Sequence, residues 1–405
     1  MRSRGQYLRI LFGTVLGAIG VSATINLLVD PYGYFQLLRI SGFNLVKPRP
    51  GHDMFEIKRA AVERVHPDAL ILGNSRAEVG FDPEHAAWSA RGLSAYNFAL
   101  PGSTIRTSWE VLDELAVPLR PKLIVIGVEF LDFLADPAAP DLPVLADKPR
   151  SAWNTAAALA RALFTWSALV DSVQTIAIQH ATSAATITSR GFNPLLEYVA
   201  TARIDGYYAL FRQRAIENAA QYARKPRAVR QLDGRPGAAF VYLRAMLRAA
   251  AAQGAEVHLV IYPYHAQLLL MFEDSGLWPA LEDWKRQLVA MVAEEQSSDR
   301  TSAIIWDFSG FTPYTTEAIP PKGDLANTTL WYWEGGHFKR ALGDIILRQV
   351  VRGEPDGFGV RLDNATIDEH LAHIRAQRDA YREHQPAVAE DVRNLVEMAV
   401  QRKNR

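Results

Sequence analysis

The sequence predicts an α/β fold with a mainly parallel sheet, carried behind an N-terminal membrane helix. Two observations lead there. Short apolar runs at Ala69 to Leu72, Leu123 to Val128 and Val257 to Tyr262 have the length and character of buried parallel strands. Each follows a helical stretch and a Pro or Gly signal: Glu63 to Pro67, Leu119-Arg120-Pro121, and Ala251 to Gly254. Ala303 to Trp306 is a fourth candidate strand. Strands alternating with helices imply a sheet that binds ligands at the C-terminal ends of its strands.

The second observation is at the N-terminus. Arg2, Arg4 and Arg9 precede an uncharged apolar stretch from Ile10 to Val29. Twenty residues at about 1.5 Å each span roughly 30 Å, the thickness of a bilayer's hydrocarbon core. Gly13, Gly17 and Gly20 have the small-residue spacing of membrane helices, and Asn26 lies near the far end. Asp30-Pro31-Tyr32-Gly33-Tyr34 ends the helix, with tyrosines suited to the interface. Positive charge before the span and none just after predicts a cytoplasmic N-terminus and an exported remainder. A cleaved signal peptide is the alternative. The stretch is long for that role, and Val21-Ser22-Ala23 runs on into more apolar residues, so a retained single-pass anchor through residues 10–29 is the expectation.

Between the second and third strands, roughly Ser151 to Ala250, lies an Ala-rich region with helical periodicity, read as a helical insertion able to cap a site. Its basic patch, Arg224-Lys225-Pro226-Arg227, reads as a solvated loop. Gly353 to Leu362 is loop-like, and Ile367 to Tyr381 and Val388 to Val400 are amphipathic helices that pack on the domain or on a partner. The expected division is therefore 1–29 tip and anchor, 30–355 α/β domain with its insertion at about 151–250, and 356–405 helical tail.

Composition removes several chemistries. The 405 residues include no cysteine, which excludes thiolate metal sites, a cysteine nucleophile and disulfides. Basic and acidic residues number 44 each. Without the three N-terminal arginines, the basic count falls from 44 to 41 against 44 acidic, so no basic surface is concentrated for nucleic acid.

What chemistry remains gathers in four motifs. The first strand runs into Gly73-Asn74-Ser75-Arg76, where a serine at a strand-to-helix turn can present its hydroxyl above the sheet beside backbone N–H groups. Asn and Ser also cap helices, the structural alternative. Tyr96-Asn97-Phe98-Ala99-Leu100-Pro101-Gly102-Ser103 ends in a tight turn where backbone can approach a ligand. Ile126-Gly127-Val128-Glu129-Phe130 closes the second strand. Far downstream, Trp333-Glu334-Gly335-Gly336-His337-Phe338 places a carboxylate three residues before a histidine. Folded back, Glu334 can hold one imidazole nitrogen and leave the other to take a serine proton.

Ser75 after the first strand, Gly102 in the next turn and Glu334-Gly335-Gly336-His337 near the end resemble the pattern of SGNH hydrolases. The likeness covers roughly Asp68 to Arg348. It is nearest to membrane-anchored, exported relatives: the D-alanine transfer protein of teichoic acid operons and the acetyltransferase proteins of alginate and peptidoglycan modification. The resemblance implies a flavodoxin-like α/β/α fold with Ser75 as nucleophile, His337 as general base, Glu334 in the orienting role usually given to Asp, and backbone N–H groups of Ser75 and Gly102 as the oxyanion hole. Asn74, Arg76, Asn97, Glu129 and His265 are then the oxyanion or substrate candidates. It also implies a bacterial inner membrane, a periplasmic main domain, an envelope glycan or polymer as acceptor, an acyl donor, and a membrane partner that exports acyl groups. No cofactor is expected.

The chain departs from the pattern. Asn74 stands for the usual aspartate, Arg76 where acetyltransferase relatives often have histidine, and Glu129 near where an asparagine normally donates to the oxyanion. An ionised carboxylate there would oppose the developing charge, and losing one such donor costs about 10²–10³ in turnover. Asp307, after the fourth strand, and Asp132 are alternative partners for His337. His265 reaches the same rim or is bonded to backbone. A metal set of Asp307, Glu334, His337 and His265 lacks a close His pair. Trp331, Tyr332 and Trp333 stack on a sugar or pack at the sheet edge. Two functions are expected in turn: acyl transfer or ester hydrolysis through Ser75, or a catalytically degenerate, membrane-tethered assembly or polymer-binding protein.

Overall fold

A computed structural model describes residues 4–138, 152–223, 227–298, 301–354 and 357–403. Arg2, Ser151, Arg224, Lys225 and Pro226 lie outside the described residues. The chain forms two compact units, one from Met1–Val65 with Lys148–Glu197, the other from His66–Asp147 with Tyr198–Arg405. The region from about 151 to 250, expected as one insertion, is therefore divided at residue 197. Alanine-rich periodicity specifies helices but not what they pack against.

The first unit is built on the helix Arg4–Val29, long and apolar enough to cross a membrane, with only 6% of its most apolar 18-residue window buried. Its C-terminal end is held. Lys47 Nζ donates to the carbonyls of Val29 and Asp30 at 3.2 and 2.6 Å, and Asn44 Nδ2 to that of Val29 at 3.2 Å. A cation there also complements the helix dipole. The Asp30 carboxylate accepts the N–H groups of Tyr34, Phe35 and Gln36 at 2.8, 3.0 and 2.8 Å. Lys47–Pro48 pairs antiparallel with Thr186–Ile187, and Tyr32, Ile57, Ala162 and Ala168 form a small core.

The second unit holds a six-stranded sheet: β1 (Ala69–Leu72), β2 (Ala95–Asn97), β3 (Leu123–Val128), β4 (Glu256–Ile261), β5 (Ile304–Asp307) and β6 (Val360–Leu362). Their order across the sheet is β2-β1-β3-β4-β5-β6. The first five are parallel and β6 is antiparallel to β5. Every residue of β1 and β3 is buried, as continuous apolar interior strands require. The loop expected over Gly353 to Leu362 thus ends in an edge strand. Only Leu362 of its three residues is buried, too short a pattern to announce itself.

Helices Ser75–Gly80 and Ala86–Ala90 pack against Arg340–Arg352, whereas Ala238–Ala252 packs against Ile105–Leu119 and Trp278–Ser297. Right-handed crossovers put these two sets on opposite faces, because the chain steps one way from β1 to β2 and the other way from β2 onward to β5. That reversal leaves a switch point between β1 and β3 at the strands' C-terminal ends. The tail helices Ile367–His384 and Pro386–Lys403 pack on Trp278–Ser297 and Ala266–Asp274 of the same unit.

Candidate active site

Gly73, at φ +143°, turns the chain off β1 into the helix Ser75–Gly80. Asn74 is the N-cap: its Oδ1 accepts the Arg76 N–H at 3.0 Å. Because Asn74 caps, the Ser75 hydroxyl is free for other work. Tyr262, directly after β4, fills the space between this turn and β3: its hydroxyl lies 2.6 Å from where a Cβ on Gly73 would stand and within the space of one on Gly127. Both positions need glycine for that close approach.

The opposite wall is the short hairpin Tyr332–Glu334 with His337–Phe338. The His337 Nε2 lies 2.8 Å from Ser75 Oγ, and its Nδ1 is hydrogen-bonded to Glu334 Oε1. Glu334 is 1% exposed, and its Oε2 accepts the Gly336 N–H at 2.7 Å. Burial works against its charge, but His337, the Gly336 N–H and Arg214 together hold its carboxyl at about 2. An ionised Glu334 only accepts, so the proton sits on Nδ1 and Nε2 receives the serine O–H.

Two glycines fix this meeting. A Cβ on Gly80 would enter the Phe338 ring, and one on Gly343 would enter the Gly80 carbonyl. The serine helix and the helix that follows His337 therefore touch backbone to backbone.

Arg76 joins the walls. Its Nε donates to the Gly336 carbonyl at 2.7 Å and its Nη1 pairs with Glu129 Oε2. Glu129 also accepts from Tyr264 Oη at 3.1 Å and from Asn74 Nδ2 at 3.3 Å. The carboxylate expected to oppose an oxyanion is thus neutralised by a guanidinium and spent on three donors. The Pro101-Gly102 turn is tied alongside: Leu100 N–H and Ser103 Oγ both donate to the Gly73 carbonyl, at 3.0 and 3.1 Å. Gly102 is exposed at φ +67° with open space around it.

Other expected site residues have their side chains committed to the fold. Asn97 is fully buried, its Nδ2 donating to the Ala77 and Phe81 carbonyls at 2.8 Å each and its Oδ1 accepting from Ala99 N–H, so it holds the serine helix and offers nothing to a substrate. His265 caps Ala266–Asp274, with Nδ1 accepting from the Gln267 N–H at 3.2 Å and Nε2 donating to the Glu317 carbonyl at 2.9 Å. Burial lowers its imidazole to about 4, despite the Glu317 carbonyl and Glu334. Asp307 is not a partner of His337: it pairs with Lys285 at 2.6 Å and His370 at 2.9 Å. Burial pushes Asp132 up to about 7, against the pull of Arg76 and the Ile105 N–H. The metal set is not assembled, and among the described residues no three such side chains gather. Tyr332 is core, donating to the Pro263 carbonyl at 2.8 Å, and Trp333 packs edge-on against Tyr198.

Sequence reading missed two neighbours. Arg214 Nε lies 3.9 Å from Glu334 Oε1, and Lys339 Nζ bonds Tyr207 Oη at 2.8 Å over the Trp333 ring. Burial brings Lys339 down to about 8, with Glu317 opposing. Arg214 and Tyr207 come from the helical segment Glu197–Tyr222, after its break at Gly206 (φ +77°), and nothing in their local sequence marks them as site residues. Comparison of the chain with protein-family models, curated proteins and solved structures finds no match.

Proposed function

We propose that this protein is a membrane-anchored, extracytoplasmic acyltransferase or esterase of SGNH type, acting through Ser75 on a cell-envelope glycan or polymer. One observation carries the reading: a serine hydroxyl 2.8 Å from an imidazole nitrogen whose other nitrogen is held by a buried carboxylate. The strand order 2-1-3-4-5 is that of flavodoxin-like folds, and the three residues meet where such sheets bind ligands.

In this mechanism His337 Nε2 takes the Ser75 proton as Oγ attacks the carbonyl carbon of an acyl donor. The oxyanion faces the Ser75 and Gly102 N–H groups. Collapse expels the donor's leaving group, which receives the proton from His337, and leaves acyl-Ser75. His337 next deprotonates an acceptor hydroxyl, which attacks the ester; the bond to Ser75 Oγ breaks and His337 returns the proton to Oγ, regenerating the serine. A sugar hydroxyl as acceptor gives transfer, and water gives hydrolysis. The anchor helix favours an acceptor and donor that arrive at a membrane surface, with the helix N-terminus cytoplasmic and the bacterial inner membrane as the site.

A fluorophosphonate probe tests the reading. Full-length protein should be labelled at Ser75, with labelling abolished in Ser75→Ala and strongly slowed in His337→Ala. Absence of labelling in the wild type, with biological function intact in Ser75→Ala, would favour the non-catalytic scaffold instead.

A further inference from the structure

The first unit contains a second apolar element. Helices Ala152–Phe164 and Trp166–Ala177 both pack on the anchor helix, and the pair has the length and composition of a membrane span broken by a 64° bend. Large apolar side chains face outward along it: Trp153, Phe164, Trp166, Val170, Val173 and Ile176, with Trp153 and Trp166 at 81% and 76% exposure. Isolated exposed apolar residues are ordinary, but six on one element continuous with a membrane span are not.

The polar groups around its bend are satisfied by protein, as a place without water demands. At the bend, Asn26 Nδ2 of the anchor donates to the Leu163 carbonyl at 2.9 Å, and Ser172 Oγ donates to Asn26 Oδ1 at 2.9 Å. Thr165 Oγ1 donates to the Arg161 carbonyl at 2.7 Å and accepts the Ala168 N–H at 3.2 Å. The two charges on the element are also occupied. Arg161 holds Asp53 through two bonds of 2.8 and 2.7 Å, and Asp171 accepts from Tyr32 Oη at 2.6 Å. Backbone polar groups left open in hydrocarbon cost several kcal/mol each, so irregular backbone survives there only when satisfied by protein.

We propose that this bent pair is a membrane-seated elbow, dipping its Phe164–Trp166 vertex into the bilayer leaflet on the C-terminal side of the anchor. The depth is shallow. Asn26, which meets the bend, lies three residues, or about 4.5 Å, before the anchor's last residue. That matches the boundary between headgroups and acyl chains, where tryptophan is favoured and amphipathic helices lie. Arg161 reaches back toward Asp53 as a snorkelling side chain would. The elbow gives the first unit two supports on the lipid, and Asn26 is the polar pin between them.

The absence of cysteine makes the test direct. Full-length Trp166→Cys and Val173→Cys variants, with Leu16→Cys in the anchor and Leu232→Cys in an exposed loop as references, are labelled with bimane in phosphatidylcholine vesicles. The expected result is loss of emission at 166 and 173 to a shallow spin-labelled lipid, as position 16 loses it to a deep one, with little loss to iodide. Iodide quenching at 166 and 173 equal to that at 232 would overturn the proposal. So would resistance to both quenchers, which would put protein over these residues. Two separate exposed positions guard against one variant that disturbs the fold.

Discussion

At the scale of single residues, Glu334 decides which nitrogen of His337 is available. Replacing it by glutamine keeps its size but removes the charge and allows an amide donor to face Nδ1. The favoured tautomer then turns its N–H toward Ser75, and phosphonate labelling should fall by about 10³–10⁴-fold. A rate in Glu334→Gln within tenfold of the wild type would remove the carboxylate from the proposed triad. His265 makes a prediction about stability. Burial keeps its ring neutral in the fold down to about 4, whereas an ordinary histidine gains a proton near 6.5. Its contribution is complete above 6.5 and is lost as pH falls from 6.5 toward about 4, amounting to roughly 3 kcal/mol. His265→Asn retains a capping side chain, so thermal unfolding at pH 7.5 and pH 5 should show a smaller acid loss in the variant than in the wild type. Spacing made the Glu334–His337 relation legible, because two glycines between a carboxylate and an imidazole allow the fold-back. The Glu129 environment was not legible, since its partners Arg76 and Tyr264 come from distant segments.

Among elements, the decisive contact is the crossing of Ser75–Gly80 with Arg340–Arg352. Gly343→Ala would force these helices apart at the Gly80 carbonyl. It should destabilise the protein by about 1–3 kcal/mol and slow Ser75 labelling, although residue 343 touches neither Ser75 nor His337. Equal stability and labelling in the variant would show that the crossing does not set the Ser75–His337 spacing. The central strands could be read from sequence because β1 and β3 are interior and apolar throughout, and β4 and β5 are interior and mostly apolar, with bounds within one residue of those expected. β2 and β6, at three residues each, carry too little pattern to be seen. Gly80 and Gly343 gave no signal either, since a glycine in a helical run reveals its neighbour only after folding.

For the molecule as a whole, the end of the anchor is built into the first unit through Asn26, Asp30, Asn44 and Lys47. The N-terminal helix also packs on Ala152–Phe164 and Trp166–Ala177, so the mature protein should keep it, and intact-mass measurement of membrane-extracted protein should show residues 1–23 still attached. A mass lower by the first two dozen residues would identify a signal peptide. The division of the middle region between two units was hidden in sequence, because alanine-rich helices look alike wherever they dock. The tail's docking was equally hidden, resting on pairs such as Arg382 with Glu273 and Asp274 at 2.5 and 2.7 Å.

Ser75 and His337 are 262 positions apart in the chain. A ribosome thus delivers the serine long before the imidazole, and the intervening residues must all be made before the two can meet. On the proposed mechanism, a nascent or partly translocated chain carries an unactivated alcohol at position 75. On that mechanism, acyl chemistry would wait until synthesis has passed residue 337 and the imidazole has folded onto the serine.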